Sequence, residues 1–251
     1  MSSIPPPPPP PMSPPPGFIV YGATDAHSGS IQGIRKIAKA IVVLLWIYLP
    51  LQILGVFDLV RLSRQAQRLL DREISEQAFK DSTRVSVGAG AALLIIPIAV
   101  LTMIWMYRMA ANLRLLGRPG QTWVPGWGIG AWFVPPCVVY AVPWLMFKEL
   151  WRGSDPDLVR GDPAWKQGRV PPIITWWWVL YGLLPIFALS SNGQFVSQLR
   201  SDKTTRDLAQ RNHDYTGSSV VFQVLAMAAT VVYLLLVRRL SARHMQATGE
   251  A

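Results

Sequence analysis

Residues Ser218–Val237 read SSVVFQVLAMAATVVYLLLV, a stretch without an acidic or basic side chain, and the pair Arg238-Arg239 follows directly. The hydrocarbon core of a bilayer is about 30 Å thick, and a helix of about 20 apolar residues spans it. Lys and Arg side chains commonly border such helices at the membrane surface. The sequence therefore predicts a transmembrane helix here.

Four further apolar stretches of similar length precede this one. They lie roughly at Ala40–Val60, Val85–Met106, Trp127–Phe147 and Pro171–Leu189. The third differs from the others because it is crowded with Pro, Gly and Trp. The predicted fold class is all-α: a polytopic helical membrane protein with four firm transmembrane helices plus one Pro-broken membrane segment, which is either re-entrant or kinked.

Composition narrows the class of protein further. Of the 251 residues, 51% are hydrophobic and 15% are charged, whereas about 25% are charged in soluble proteins. The formal net charge is +10, but the basic residues flank the apolar stretches. We therefore expect membrane lipids with anionic headgroups as partners, and no nucleic acid. Cys137 is the single cysteine, which excludes an intrachain disulfide.

The pattern divides the chain into three regions: a Pro-rich disordered cytoplasmic tail (1–34), a helical membrane domain (35–244) and a short C-terminal tail (245–251). The first tail contains ten of the 22 prolines, in the runs Pro5–Pro11 and Pro14–Pro16. Such runs favour an extended polyproline II conformation. The tail is either a docking strand for a Pro-recognising cytoplasmic partner or a solvated spacer. Basic residues before the first helix favour a cytoplasmic N-terminus; these are Arg35, Lys36 and Lys39.

The Pro-bearing segment Trp123–Trp151 reads WVPGWGIGAWFVPPCVVYAVPWLMFKELW. Each proline of the pair Pro135-Pro136 removes a backbone donor, and the preceding residue is displaced from the helical region. The segment is either one kinked span or a re-entrant pair of half-helices. If it is re-entrant, one face of the membrane holds 14 Lys and Arg residues and the other holds 10; if all five stretches cross, the N-terminal face holds 10 and the other 14. The positive-inside rule, with a cytoplasmic N-terminus, favours the re-entrant alternative.

Three blocks in order resemble a known family. Trp105-x-x-Arg108-x-x-x-Asn112-x-Arg114-x-Leu116-Gly117 is followed by Pro125-Gly126-Trp127-x-x-Gly130-x-Trp132-Phe133-x-Pro135, and then by Glu149-Leu150-Trp151-Arg152-x-Ser154. These blocks resemble the domain of unknown function 4328 family of bacterial multi-spanning membrane proteins, over roughly Trp46–Ala247. The resemblance implies a multi-pass protein of the bacterial cytoplasmic membrane without an established activity. The family pattern has an Asn and a second Pro after the Pro135 position, whereas this chain has Pro136-Cys-Val-Val-Tyr and then Pro143.

The shared blocks supply the candidate structural or functional residues, which are Arg108, Asn112, Arg114, Gly126, Trp127, Trp132, Pro135, Glu149, Trp151 and Arg152. Opposite charges at the ends of two membrane segments predict that Glu149 pairs with Arg108 or Arg114 near the cytoplasmic surface. Asn112 could cap or cross-link helices through its amide. Separately, Asp58 and Arg61 share a helical face three residues apart and are expected to form an ion pair at the membrane boundary.

No constellation in the sequence predicts an enzyme, a metal site or a cofactor. A non-enzymatic scaffolding or regulatory membrane protein of the bacterial cell envelope is the expected function. The alternative is a small-solute transporter or channel that uses a cavity lined by the Pro-broken segment. Nine of the 11 tryptophans lie between Trp123 and Trp178, which indicates an interfacial belt, with an aromatic ligand cage as the alternative. The oligomeric state has no signal in the sequence.

Overall fold

The computed structural model describes residues 30–83, 87–133, 136–191 and 204–250, and these residues form helices, turns and loops without a β-strand. In chain order they contain α1 (Arg35–Leu70), α2 (Glu76–Thr83), α3 (Val87–Leu115), α4 (Trp127–Gly130), α5 (Pro136–Gly153), α6 (Pro172–Ser191) and α7 (Thr205–Thr248). A short 3₁₀ helix, Pro163–Gln167, lies between α5 and α6. The predicted all-helical class is confirmed. Of the predicted N-terminal tail, only its last five residues belong to the described part.

Three of the described helices are long and apolar enough to cross a membrane: α1, residues Leu93–Leu115 of α3, and α7. The sequence had predicted four firm spans plus a Pro-broken segment. The last turns of α5 carry Lys148, Glu149 and Arg152, and this helix is not among the three. The three candidate spans expose large apolar side chains, as lipid-facing helices do. These are Val43, Trp46, Ile47, Ile53, Leu54 and Phe57 on α1, Leu93, Ile95, Ile96 and Val100 on α3, and Val221, Val224, Val231 and Leu235 on α7.

Both α1 and α7 are longer than a membrane crossing requires. At 1.5 Å per residue, their lengths are about 54 and 66 Å, against a bilayer core of about 30 Å. On α1, the predicted pair forms at the expected place: Arg61 Nη2 lies 2.9 Å from Asp58 Oδ1. On α7, the apolar part is Ser218–Val237, and the helix continues past Arg238 and Arg239 for nine more residues. Each helix therefore has a part outside the apolar span.

The far end of α1 packs in a small separate cluster with α2 and the start of α7. Its buried residues are Ala66, Leu69, Phe79 and Ala209. Apolar residues at helical spacing and opposite charges four residues apart over Arg61–Lys80 predict that the first helix continues to Lys80, but α1 ends at Leu70. Arg72 adopts a left-handed conformation with φ of 63°, and Ser75 Oγ then accepts a hydrogen bond from Ala78 N–H. A turn and a new helix start thus replace the continuous helix.

The main core lies where α1, α3, α5, α6 and α7 meet. Tyr233 OH contacts Thr102 Oγ1 at 2.7 Å, and His244 contacts Asn112, so α3 and α7 run in the same direction. α1 runs the opposite way. Large side chains fill the space between the helices, among them Ile41, Leu45, Trp105, Met109, Phe147, Leu150, Trp177, Leu236 and Leu240. We call the end of the bundle that contains Gln32, Asn112, Ser154 and His244 the clamped end.

Candidate functional site

A buried polar network joins four parts of the chain at the clamped end. Asn112 Oδ1 accepts a hydrogen bond from Gln32 N–H (2.8 Å), and Asn112 Nδ2 donates to Gln32 O (2.9 Å). Nδ2 also lies 3.1 Å from His244 Nε2. On the other side of the imidazole, Nδ1 lies 2.7 Å from Ser154 Oγ. Asn112, Ser154 and His244 are all 0% exposed. Asn112 therefore links the backbone of Gln32 to the imidazole of His244 through its amide, which is the kind of cross-link expected of it.

The two bonds to Gln32 fix the orientation of the Asn112 amide, and the amide in turn fixes the histidine tautomer. Because Asn112 Nδ2 is a donor, His244 Nε2 accepts and Nδ1 carries the proton, which it donates to Ser154 Oγ. Only the neutral imidazole fits this pattern. Burial lowers the pKa of His244 to about 4, and the carboxylate of Glu250 opposes part of that shift. His244 lies beyond Arg239, outside the apolar span of α7.

Glu250 caps the N-terminus of α1, although the two are more than 200 residues apart in the sequence. Its Oε2 accepts from Ile34 N–H and its Oε1 from Arg35 N–H, both at 2.9 Å. The Arg35 guanidinium returns a hydrogen bond to the backbone carbonyl of Glu250. Arg108 Nη1 donates to Gly33 O at 2.7 Å. A carboxylate at a helix N-terminus satisfies free N–H groups and opposes the helix dipole, so these contacts stabilise the start of α1.

Arg118 is 6% exposed and holds the loop after α5 through backbone carbonyls. Its Nε donates to Gly153 O at 3.0 Å and its Nη2 to Asp155 O at 2.9 Å. Its Nη1 donates to Leu158 O and Val159 O at 3.2 and 3.0 Å. Burial lowers the pKa of Arg118, although the carboxylates of Asp155 and Asp162 oppose the shift. One guanidinium thus fixes four carbonyl groups of a loop.

The predicted pairing of Glu149 with Arg108 or Arg114 is wrong. Glu149 Oε1 instead accepts hydrogen bonds from Thr122 N–H (2.9 Å) and Trp123 N–H (3.1 Å). Arg108 is directed to Gly33, and the side chain of Arg114 is exposed. Backbone N–H groups of the loop before α4 lie nearer to Glu149 than either guanidinium does, and they satisfy the carboxylate.

The two flanks of the Pro-bearing segment contact each other at the clamped end. Besides the contacts of Arg118 and Glu149, Gly161 N–H donates to Gly117 O and Trp165 Nε1 donates to Pro119 O, each at 3.0 Å. Between these flanks, α4 lies so close to α3 that a Cβ on Gly128 would be 2.6 Å from the backbone nitrogen of Tyr107. Both flanks of the segment, residues 117–123 and 149–165, therefore lie at the same end of the bundle, and we call the segment the hairpin.

Ring contacts fix the returning half of this hairpin against α6. The Tyr140 and Tyr181 rings lie 5.8 Å apart, and those of Trp144 and Trp178 are stacked at 4.7 Å. Trp178 Nε1 also donates to Tyr140 O at 2.8 Å. Residue numbers rise along α5 as they fall along α6, so the two helices are antiparallel.

The remaining candidate residues have varied surroundings. The Trp127 ring meets Trp123 edge-on at 5.6 Å, and the Trp132 ring meets Tyr181 edge-on at 6.1 Å. Trp151 lies under the Arg243 guanidinium at 5.0 Å. Arg152 Nε donates to Gly168 O at 3.0 Å, and a Cβ on Gly126 would meet open space. Pro135 lies outside the described residues, as do the Pro-rich runs.

A cavity of about 250 Å³ lies in the apolar part of the bundle, where Trp132 meets α1, α3, α6 and α7. Aromatic side chains form much of its wall: Tyr48, Trp132, Trp177, Tyr181 and Tyr233. An apolar cavity of about 150 Å³ already binds benzene, so this one can hold a larger molecule.

Two polar atoms in the cavity wall have no hydrogen-bond partner within the described part of the chain. They are Gln52 Oε1, on a side chain that is 1% exposed, and Trp132 Nε1. Elsewhere in the wall, Thr102 and Thr230 donate to carbonyls of their own helices, and Tyr233 bonds to Thr102. Leaving a buried polar atom unpaired costs about 1–3 kcal/mol. Gln52 and Trp132 therefore each place a buried polar group in a largely apolar cavity wall.

Sequence reasoning missed Gln52, Arg118, Ser154 and His244. Gln52 had a signal, since it is a polar side chain inside a predicted span, where polar residues are uncommon and tend to face the bundle. Ser154 is the last residue of the third shared block, but it was not among the candidate residues. His244 and Arg118 had no local pattern, because their partners are distant in sequence.

Fold and site together define an all-helical protein with candidate membrane spans, a hairpin held between them and a cavity beside it. Residues 66–242, more than half of the chain, match the family described as "Domain of unknown function (DUF4328)", and the chain belongs to this family. The resemblance found in the sequence is thereby confirmed. No curated protein and no solved structure matches the chain.

Proposed function

We propose that this protein is a non-enzymatic regulatory or scaffolding protein of the bacterial cytoplasmic membrane, and that it responds to a neutral, largely apolar molecule bound in the cavity. The observation that carries the proposal is Gln52. Its acceptor is buried and unpaired in a wall made mostly of aromatic and aliphatic groups. A ligand with one hydroxyl group would satisfy this acceptor while its apolar part fills the space.

The membrane arrangement that we propose has four crossing helices, α1, α3, α6 and α7, with α4 and α5 as a re-entrant hairpin. Contacts between the flanks of the hairpin support this arrangement, since they bring residues 117–123 and 149–165 to one end. That end also carries Lys36, Lys39, Arg238 and Arg239. By the positive-inside rule it faces the cytoplasm, together with both ends of the chain.

The shared residues of the family support a structural task rather than a catalytic one. Asn112, Glu149, Arg152 and Arg108 all bond to backbone groups, and these bonds hold segments together. A signature that fixes the hairpin would keep the cavity wall in place. The Pro-rich tail would then bind a cytoplasmic partner to a degree that depends on whether the cavity holds a ligand.

Cysteine labelling tests the arrangement. In a Cys137→Ala background, single cysteines replace the exposed residues Lys36, Val159 and Asp71, and intact cells are treated with a membrane-impermeant thiol reagent. We expect Asp71→Cys to be labelled and the other two to be protected. Labelling of Val159→Cys together with protection of Lys36→Cys would refute the re-entrant hairpin.

Ligand binding tests the cavity. The probes are 1-naphthol and naphthalene, which differ by one hydroxyl group, and binding is followed by their fluorescence with the full-length protein in detergent. A hydrogen bond to Gln52 contributes about 1 kcal/mol, so naphthol should bind roughly fivefold more tightly than naphthalene. The variant Gln52→Leu should lose this preference, whereas Gln77→Leu, at an exposed position of α2, should keep it. Equal affinities for the two probes in the unaltered protein would refute the proposal.

A small-solute transporter that uses the same cavity is the second candidate, because Ile95 in the cavity wall is half exposed and so gives a side opening. The cavity wall has no charged side chain among its lining residues, and paths for ions and charged solutes usually have some. Uptake of a neutral solute into liposomes containing the protein, abolished by Gln52→Leu, would favour the transporter over the regulator.

A further inference from the structure

A second pocket, of about 240 Å³, lies at the clamped end beside the returning half of the hairpin. Three basic side chains, one acidic side chain and two indole rings line it: Lys148, Arg152, Lys166, Glu149, Trp123 and Trp165. It shares no lining residue with the aromatic cavity. The pocket is therefore a separate site with a different chemistry.

The positive charges of this pocket exceed its negative charge. Between described residues, ion pairs join Arg61 to Asp58, Arg68 to Glu73 and Arg243 to Asp155. None of these acids lies in the pocket. Glu149 Oε1 already accepts two backbone N–H groups. Three basic side chains thus face one carboxyl side chain, which gives the pocket a formal net charge of +2.

Among the described residues, the basic groups of the pocket keep N–H donors that no hydrogen bond occupies. Within that part of the chain, Arg152 donates through Nε to Gly168 O, so the two terminal nitrogens of its fork remain for another acceptor. Lys148 Nζ lies 3.2 Å from the centre of the Trp144 ring, and Lys166 Nζ lies 5.8 Å from that of Trp165. An arginine fork held in place beside two ammonium groups is suited to an oxyanion with several oxygens.

We propose that this pocket binds a phosphate group. The indole rings beside it and the half-exposed Leu145 are typical of a membrane surface. The phosphate could therefore belong to an anionic phospholipid headgroup or to a free phosphate ion. Basic pockets between membrane helices on the cytoplasmic side hold lipid headgroups in this way. The proposal goes beyond the aromatic cavity, and neither site depends on the other.

The experiment uses the full-length protein in detergent with two probes, phosphatidylglycerol and inorganic phosphate. Native mass spectrometry measures the retention of phosphatidylglycerol relative to phosphatidylcholine, and thermal unfolding measures the stabilisation by phosphate. The double variant Lys148→Gln/Lys166→Gln removes two charges whose side chains are not needed for backbone contacts. Each basic group near a phosphate contributes about 1 kcal/mol, so we expect affinity to fall roughly tenfold or more.

The matched control is Lys36→Gln/Lys39→Gln, which removes two exposed charges from the same end of the bundle. It should keep the affinity of the unaltered protein. Equal losses in both double variants would refute a specific pocket, because they would show attraction by the general surface charge. Binding of neither probe to the unaltered protein would also refute it. A pocket-dependent loss for phosphatidylglycerol alone assigns the lipid as the source of the phosphate group, whereas a pocket-dependent loss for inorganic phosphate alone assigns the free ion.

Discussion

Acidification should loosen the clamped end by charging His244. The imidazole is fully buried, and it accepts a hydrogen bond from Asn112 while donating one to Ser154. Its pKa is lowered to about 4 in the folded protein, whereas an unfolded chain titrates near pH 6.5. Between these values the unfolded chain binds a proton that the folded chain does not. The free energy of unfolding therefore falls as the pH falls from about 6.5 to about 4.

The size of this effect follows from the two pKa values. Linkage with a single site gives a loss of about 2 kcal/mol between pH 7 and pH 5. The carboxylate of Glu250 already acts to raise the pKa of His244, against the effect of burial. The free energy of unfolding is measured in detergent by denaturant titration at pH 7 and pH 5, with tryptophan fluorescence as the signal.

Other groups titrate in the same range, so the comparison rests on two variants. His244→Gln keeps an amide for hydrogen bonding but cannot take up a proton, and it should remove about 2 kcal/mol of the pH dependence. His213→Gln, which alters an exposed histidine of α7, should leave the pH dependence as it is. The reasoning fails if His244→Gln loses as much stability on acidification as the unaltered protein does.

Three further predictions concern the contacts at the clamped end, and each is measured by denaturant titration in detergent. Arg118→Met should lower the free energy of unfolding by about 3 kcal/mol, because it leaves buried carbonyls without a donor. Its control, Arg114→Met at an exposed position, should change the free energy of unfolding by less than about 0.5 kcal/mol. Equal effects of the two variants would contradict the assigned role of Arg118. Gly128→Ala should cost about 2 kcal/mol or more, since the added Cβ meets the backbone of α3, and Gly126→Ala, which meets open space, should not; an unaffected Gly128→Ala would contradict the close approach of α4. Glu250→Ala should cost about 1 kcal/mol and speed hydrogen exchange at the first amides of α1; unchanged exchange there would contradict the capping contact.

Local patterns in the sequence predicted the positions of α1 and α7, although four firm spans were expected and the described residues contain three candidate spans. The apolar stretches Ala40–Val60 and Ser218–Val237 lie within α1 and α7, and the spacing of Asp58 and Arg61 predicted their contact. Such features depend on neighbours within one or two helical turns. The end of α1 was harder to predict, because charged residues at helical spacing continue through the turn at Arg72.

The clamped end could not be predicted, because its partners are far apart along the chain. Asn112 and His244 are separated by 132 residues, and Ile34 and Glu250 by 216. Charge complementarity predicted an arginine partner for Glu149, whereas its partners are backbone N–H groups, which every residue except proline supplies. Pairing charged side chains with one another likewise does not predict that Arg118 binds four backbone carbonyls.

The cap on α1 also has a consequence for the order in which the protein is completed. Glu250 is made 215 residues after Arg35. At about 5–20 residues per second, a ribosome needs roughly 10–45 s to cover that distance. During this interval the first amides of α1 lack the carboxylate that caps them. The helix that is synthesised first is therefore among the last parts of the protein to be completed.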